Sequence, residues 1–225
     1  TEAAGWVAAA LGEAPLDGLV CNAGISLPGP LLHQPLAEID RQWRVNDLGQ
    51  IATVQAFAPL LGARQGFAGS PGRIVMMSSV SGKLSWPFVG AYSASKHALE
   101  AFSHTLRREL MPFGVDVVIV APGPIATPIW EKSAAAVDRS LYRDTIYGPL
   151  IDGFEKEIIG RTAKALPAEA IARGVHKALT MRHPPVRMTI TGNALMNWIG
   201  PRILPARILD RLTAMKLGLT RRPSA

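Results

Sequence analysis

Cysteine is almost missing from this chain: Cys21 is its single representative. An internal disulfide is therefore excluded, and the usage fits a reducing compartment, so a cytoplasmic location is expected. No apolar run reaches the roughly 18 residues that a membrane-spanning helix requires. The opening stretch TEAAGWVAAALG carries no basic leader, and no secretory signal is expected. Aromatic residues are few and do not alternate with basic ones, which removes nucleic acid as an expected partner. The histidines at 33, 97, 104, 176 and 183 lack the spacing of metal ligands, so no metal is expected. No G-x-S-x-G turn exists. The S-x-x-K at Ser93–Lys96 has neither an S-D-N nor a K-T-G companion, which argues against serine acylation chemistry.

The 225 residues are 48% hydrophobic and 18% charged, enough for one sizeable α/β domain. The net charge of +7 is unevenly spread. Residues 201–225 hold Arg202, Arg207, Arg211, Lys216, Arg221 and Arg222 against one acid, Asp210. Leu204, Ile208, Leu212, Met215 and Leu219 recur there at steps of three or four, so 200–225 reads as a basic amphipathic tail. Such a helix packs on the fold or on a second subunit, or lies on an anionic membrane surface.

Four short apolar runs, 16–24, 73–79, 115–123 and 186–192, read as buried strands. Helical patterns lie at 2–11, 36–64, 91–112, 167–181 and 203–218, with Ala98, Leu99 and Phe102 as the apolar stripe of the third. Strands alternating with helices predict an α/β fold with a doubly wound parallel sheet. Residues 124–165, with Pro124, Pro128 and Pro149, read as an excursion on the substrate side. Ligands of such sheets bind beyond the carboxyl ends of the strands, here CNAG, MSS and APGPIAT.

The polar residues at those ends fall in a set order. Asn22 ends the first strand, Asn46 lies in the first long helix, and Ser79 ends the second strand. Tyr92 and Lys96 follow Ser79 by thirteen and seventeen residues, and Pro122-Gly123 ends the third strand. Together these elements resemble the short-chain dehydrogenase/reductase family: its N-A-G strand end, helix asparagine, serine, Y-x-x-x-K and P-G turn with a following threonine. The resemblance implies a Rossmann-like domain, N-terminally truncated, spanning residues 1–225.

The chemistry accounts for the residue types. Hydride exchange at a carbinol carbon requires a proton to move at its oxygen. A free tyrosine, with a pKa of about 10, is a poor base at neutral pH. A nearby ammonium favours the phenolate, and four residues on a helix put the two side chains on one face. Tyr92 is therefore the expected general acid/base and Lys96 its electrostatic partner. The resemblance implies that Lys96 also holds the nicotinamide ribose, that Ser79 holds the substrate oxygen, and that Asn46 helps hold a water in the proton relay. It further implies that Asn22, Ala23 and Gly24 line the adenosine half of NAD or NADP. Tyr92, Pro122, Gly123, Ile125 and Thr127 would line the nicotinamide half. Each residue alone also has a structural reading: Ser79 as a strand-end cap, Asn46 as an exposed helix polar, Tyr92 and Lys96 as a solvated pair.

The family's glycine-rich turn, which binds the pyrophosphate, is not found. The resemblance implies that on the order of 60 residues precede the matched region. The chain alone is accordingly expected to bind nucleotide weakly and turn over little. Trp86, Pro87, Phe88 and Val89, between Ser79 and Tyr92, are apolar. With Trp86 and Phe88 as substrate contacts, they predict an apolar secondary alcohol or ketone of steroid, retinoid or long acyl type. The alternative is a catalytically silent binding or scaffold fragment of the same fold. The resemblance also implies a homo-oligomer built through the helices of Asn46 and Tyr92.

Overall fold

The computed structural model describes residues 2–135, 138–151, 153–154, 165–194 and 203–220. Among them, four strands form one parallel sheet: β1 (Gly18–Cys21), β2 (Arg73–Met77), β3 (Asp116–Pro122) and β4 (Arg187–Ile190), hydrogen-bonded in sequence order. The helices are α1 (Glu2–Leu11), α2 (Leu36–Trp43), α3 (Gly49–Phe57), α4 (Gly90–Glu109), α5 (Ile129–Ala135), α6 (Ala168–Thr180) and α7 (Ala206–Leu217). The α/β class and the four predicted strands are thus present. The single helix predicted over 36–64 is instead α2 and α3 joined by a π-helical turn, Arg44–Leu48.

Alternation along the central strands builds two cores. Ile74, Met76 and Val117 point to one face and meet Val54 of α3 and Leu99 of α4. Val75, Met77, Val118 and Val120 point to the other and meet Ile171 and Ala178 of α6. Burial on both faces explains why β2 and β3 read as unbroken apolar runs rather than alternating ones. Each such side chain contributes roughly 1.5–3 kcal/mol. Prolines set the helix starts: Pro35, Pro167 and Pro205 stand at the caps before α2, α6 and α7. Gly218, at φ 68°, ends α7 in the left-handed conformation.

The stripe that α4 buries differs from the one its apolar residues suggest. Phe102 is 39% exposed, whereas Tyr92, Ser95, Lys96, Leu99, Glu100 and Ser103 are buried. The helix turns a largely polar stripe inward because it docks on a strand end, not only on the core. A third cluster covers its first turn: Phe88, Val89 and Tyr92 pack with Tyr142, Ile151 and Phe154 of the excursion, and Leu217 and Leu219 of the tail join them. The tail therefore packs on the fold along one side. Residues 136–137, 152 and 155–164 of the excursion and the tail residues 200–202 and 221–225, with Arg202, Arg221 and Arg222, lie outside the described residues.

Candidate active site

The site starts where β2 ends. Three residues of α4, spaced by four, reach three consecutive residues there. Lys96 Nζ donates to the Met77 carbonyl at 2.9 Å. Ser78 Oγ donates to Glu100 Oε1 at 2.9 Å. Tyr92 and Ser79 line one cavity, and the Ser79 hydroxyl is the neighbour that favours the Tyr92 phenolate. Ser79 also caps the 3-10 turn Val80–Gly82 by accepting from Ser81 N at 3.1 Å. Its cap reading and its site reading are thus both realised in the geometry.

A second set of polar side chains, also spaced by four, grips the chain after β1. Gln50 donates to the Ala23 carbonyl. Asn46 accepts from Ile25 N at 2.8 Å and donates to Ile25 O at 2.9 Å. Gln42 Oε1 accepts from Leu27 N at 2.9 Å. Four residues of helix advance about 6 Å, close to the rise of two extended residues. The helix and the extended segment 23–27 therefore stay in register. Asn46 is fully buried in the π-helical turn, not exposed, and its amide also donates to Ser95 Oγ of α4 at 3.0 Å. This side chain is committed to clamping the two elements together.

Burial governs the charges. Lys96 is 4% exposed. Desolvation lowers its pKa to about 8, and Asp47 pulls the value partly back up. Desolvation raises Asp47 to about 6, with Lys96 acting against it. Tyr92 departs from the expectation. Burial pushes its phenol above the ordinary value, and the contact that lowers it is the Ser79 hydrogen bond. The Lys96 ammonium lies 5.8 Å from the ring centroid and is engaged at Met77 O. In the protein alone, Tyr92 is thus tuned by its neighbouring hydroxyl more than by the cation. Cys21 is buried, and desolvation pushes its thiol up to about 11, as befits a small core residue.

A cavity of about 400 Å³ opens over this arrangement at the carboxyl ends of the strands. Asn22, Gly24, Ser79, Tyr92, Lys96 and Pro122 line it, as do Gly123, Ile125 and Thr127. Ala23 and Asn46 are not among its described lining: the Ala23 carbonyl is held by Gln50, and Asn46 is hydrogen-bonded to Ile25. Trp86 and Phe88 are not among its described lining; Phe88 packs against Tyr147 and Phe154 instead. Gly123 has a packing reason of its own, since a Cβ there would stand 2.5 Å from Thr191 Oγ1. Sequence reasoning overlooked Gln42, Gln50, Asp47, Glu100 and Lys132, the last of which also lines the cavity. The spacing of Gln42, Asn46 and Gln50 placed them on one face, but only the packing reveals that this face is buried. The donors present suit a nicotinamide nucleotide: an ammonium and two hydroxyls on one side, with close-packed chain at Gly24 and Gly123.

The model of the short chain dehydrogenase family matches residues 2–138. This chain belongs to the short-chain dehydrogenase family. An NADPH-dependent 3-dehydrocapnine reductase from Ornithobacterium rhinotracheale is 36% identical over 90% of this chain and 70% of its own length. Retinol dehydrogenase 5 from Mus musculus is 32% identical over 93% of this chain and 67% of its own. The crystal structure of a short-chain dehydrogenase from Streptomyces avermitilis superposes with a TM-score of 0.71 at 26% identity, covering 96% of this chain and 74% of that one. The expectation of an NAD(P)-dependent oxidoreductase on a Rossmann-like sheet stands on these relatives.

Asp47→Asn should lower the Lys96 pKa below about 8, because removing the carboxylate withdraws the charge that stabilises the buried ammonium. Lysine-selective NMR titration measures it, and an unchanged or higher value contradicts the coupling.

Proposed function

We propose that the chain carries the proton-transfer centre of an NAD(P)-dependent dehydrogenase or reductase acting on an apolar alcohol or its ketone. The observation that carries this is the Ser79–Tyr92 hydroxyl pair at the rim of the cavity, with Lys96 buried beneath it. In this reading the nicotinamide cofactor, NAD or NADP, supplies or accepts the hydride. Asn22, Ala23 and Gly24 hold its adenosine half; Lys96 holds the ribose, and Pro122, Gly123, Ile125 and Thr127 flank the nicotinamide. Ser79 donates to the substrate oxygen. Tyr92 delivers the phenolic proton to that oxygen during reduction and removes it during oxidation. Lys96, cationic below about pH 8, stabilises the phenolate left behind. Asn46 is a positioning residue that keeps the 23–27 segment against α4.

The apolar substrate class rests on the cluster beside Tyr92, where Phe88, Val89, Tyr142 and Phe154 are all buried. The mouse relative is named for retinol, an apolar alcohol. Assembly into a homo-oligomer is supported by Trp43, Leu48 and Phe102, apolar and exposed on the helices that carry Asn46 and Tyr92. Peripheral membrane contact is supported by α7. Its inner side packs through Leu217, while Ile208, Leu212 and Met215 face outward. Arg207 and Arg211 flank that outward stripe on one side and Lys216 on the other, the arrangement of a helix lying in an anionic lipid interface.

In a form of the protein that binds cofactor and turns over, Tyr92→Phe should cut turnover by roughly 10²–10⁴-fold while cofactor binding persists. Steady-state kinetics over a substrate panel measures this, and retained turnover, or a preference for small hydrophilic ketones, contradicts the reading. The protein should co-sediment with anionic vesicles and lose this on deletion of residues 200–225; equal binding of both forms removes the membrane contact. Sedimentation equilibrium should report a dimer or larger, and a monomer removes the oligomer.

A further inference from the structure

Glu100 is a carboxylate as deeply buried as Asp47, at 1% exposed, yet proton transfer at Tyr92 does not call on it. Its surroundings are built. Oε1 accepts from Ser78 Oγ at 2.9 Å and from Arg187 Nε at 3.0 Å, and pairs with Arg187 Nη2 at 2.9 Å. Oε2 lies 3.1 Å from Lys83 Nζ. The carboxylate thus ties both ends of the 78–83 turn, whose cap is Ser79. A Cβ on Gly82 would stand 2.6 Å from Oε1, so the turn is pressed onto the carboxylate and admits no side chain there. Arg187, at the start of β4, does not stop at Glu100. Its Nη2 also donates to the Ser79 carbonyl at 3.2 Å, and its Nη1 donates to Thr189 Oγ1.

We infer that Arg187 and Glu100 are positioning residues that fix Ser79 against Tyr92. The planar guanidinium makes this possible, since one fork binds the carboxylate and the Ser79 carbonyl together. The carboxylate is held in turn by Ser78 and Lys83, so the Ser79 backbone is restrained from the β4 side and from the α4 side. An ammonium at 187 would keep the charge beside Glu100 but offers no rigid fork to span both acceptors. The inference rests on the reading of Ser79 and Tyr92 as the proton-transfer pair. It goes beyond that reading by assigning work to a pair of residues that lies outside the cavity lining.

The test uses Glu100→Gln and Arg187→Lys in the whole protein. The primary readout is the titration of Tyr92, taken as the tyrosinate absorbance of each variant minus that of its own Tyr92→Phe counterpart. Lys96 on the same helix and Asp47 on the π-helical turn are unaltered in both variants. If Ser79 is released, the hydrogen bond that favours the phenolate weakens and Tyr92 titrates at higher pH. Turnover is expected to fall on the order of 10²-fold, with the cofactor KM unchanged, the signature of a misplaced group. Arg187→Lys should do this with its melting temperature retained, and it decides the matter alone if Glu100→Gln does not fold. An unshifted Tyr92 titration in the folded variants overturns the inference, even where the melting temperature drops. A shifted titration combined with a fully active Tyr92→Phe enzyme supports the positioning and overturns only the chemistry assigned to Tyr92.

Discussion

The contact between the Lys96 ammonium and the Met77 carbonyl is the joint on which the site depends. It fixes α4 against the end of β2 at one point, and the helical repeat then sets the rest. One turn earlier, Tyr92 meets Ser79; one turn later, Glu100 meets Ser78. A shift of α4 by one residue would move all three contacts together. A buried ammonium is costly unless it is partnered. Here the partners are a carbonyl and the field of Asp47, and its pKa of about 8 records how incompletely they offset the burial.

The same device recurs on the neighbouring helix. Gln42, Asn46 and Gln50 satisfy the backbone of residues 27, 25 and 23, a loop segment with no strand partner of its own among the described residues. Backbone groups buried without partners cost about 1–3 kcal/mol each, so this row of amides is what allows the chain to leave β1 along the cavity wall. The π-helical turn around Asn46 widens the helix where its side chain must also reach Ser95 of α4. Breaking a buried pair such as Arg187–Glu100 costs roughly 3–5 kcal/mol, so the polar interior is a stability element as well as a scaffold for the hydroxyl pair.

Much of this was legible beforehand. The apolar runs at 73–79 and 115–123 read as buried strands, and the helical patterns at 36–64, 167–181 and 203–218 marked where α2 and α3, α6 and α7 lie. The order Asn46, Ser79, Tyr92, Lys96 and Pro122-Gly123 pointed to one rim of the sheet, and all but Asn46 line one cavity there. Asn46 lies behind the wall, clamped to Ile25. Less legible was the inward stripe of α4. Counting apolar residues favoured Phe102, whereas docking on a strand end favoured Lys96 and Glu100, and docking on the π-helical turn favoured Ser95. Hydrophobic periodicity finds faces that pack on oil and is blind to faces that pack on carbonyls.

Local chemistry and spacing determined, from the sequence alone, the parallel α/β sheet, the strand ends that form the rim, and the tyrosine and lysine one helical turn apart. Tertiary structure alone decided what surrounds them. It brought Arg187 to Glu100 and to the Ser79 carbonyl across 87 and 108 residues of chain. It placed Asp47 near Lys96, and it left the Tyr92 phenol raised by burial rather than lowered by its neighbour. The reason is physical: periodicity is a property of a few consecutive residues, whereas desolvation and long-range hydrogen bonds depend on which elements close over a group.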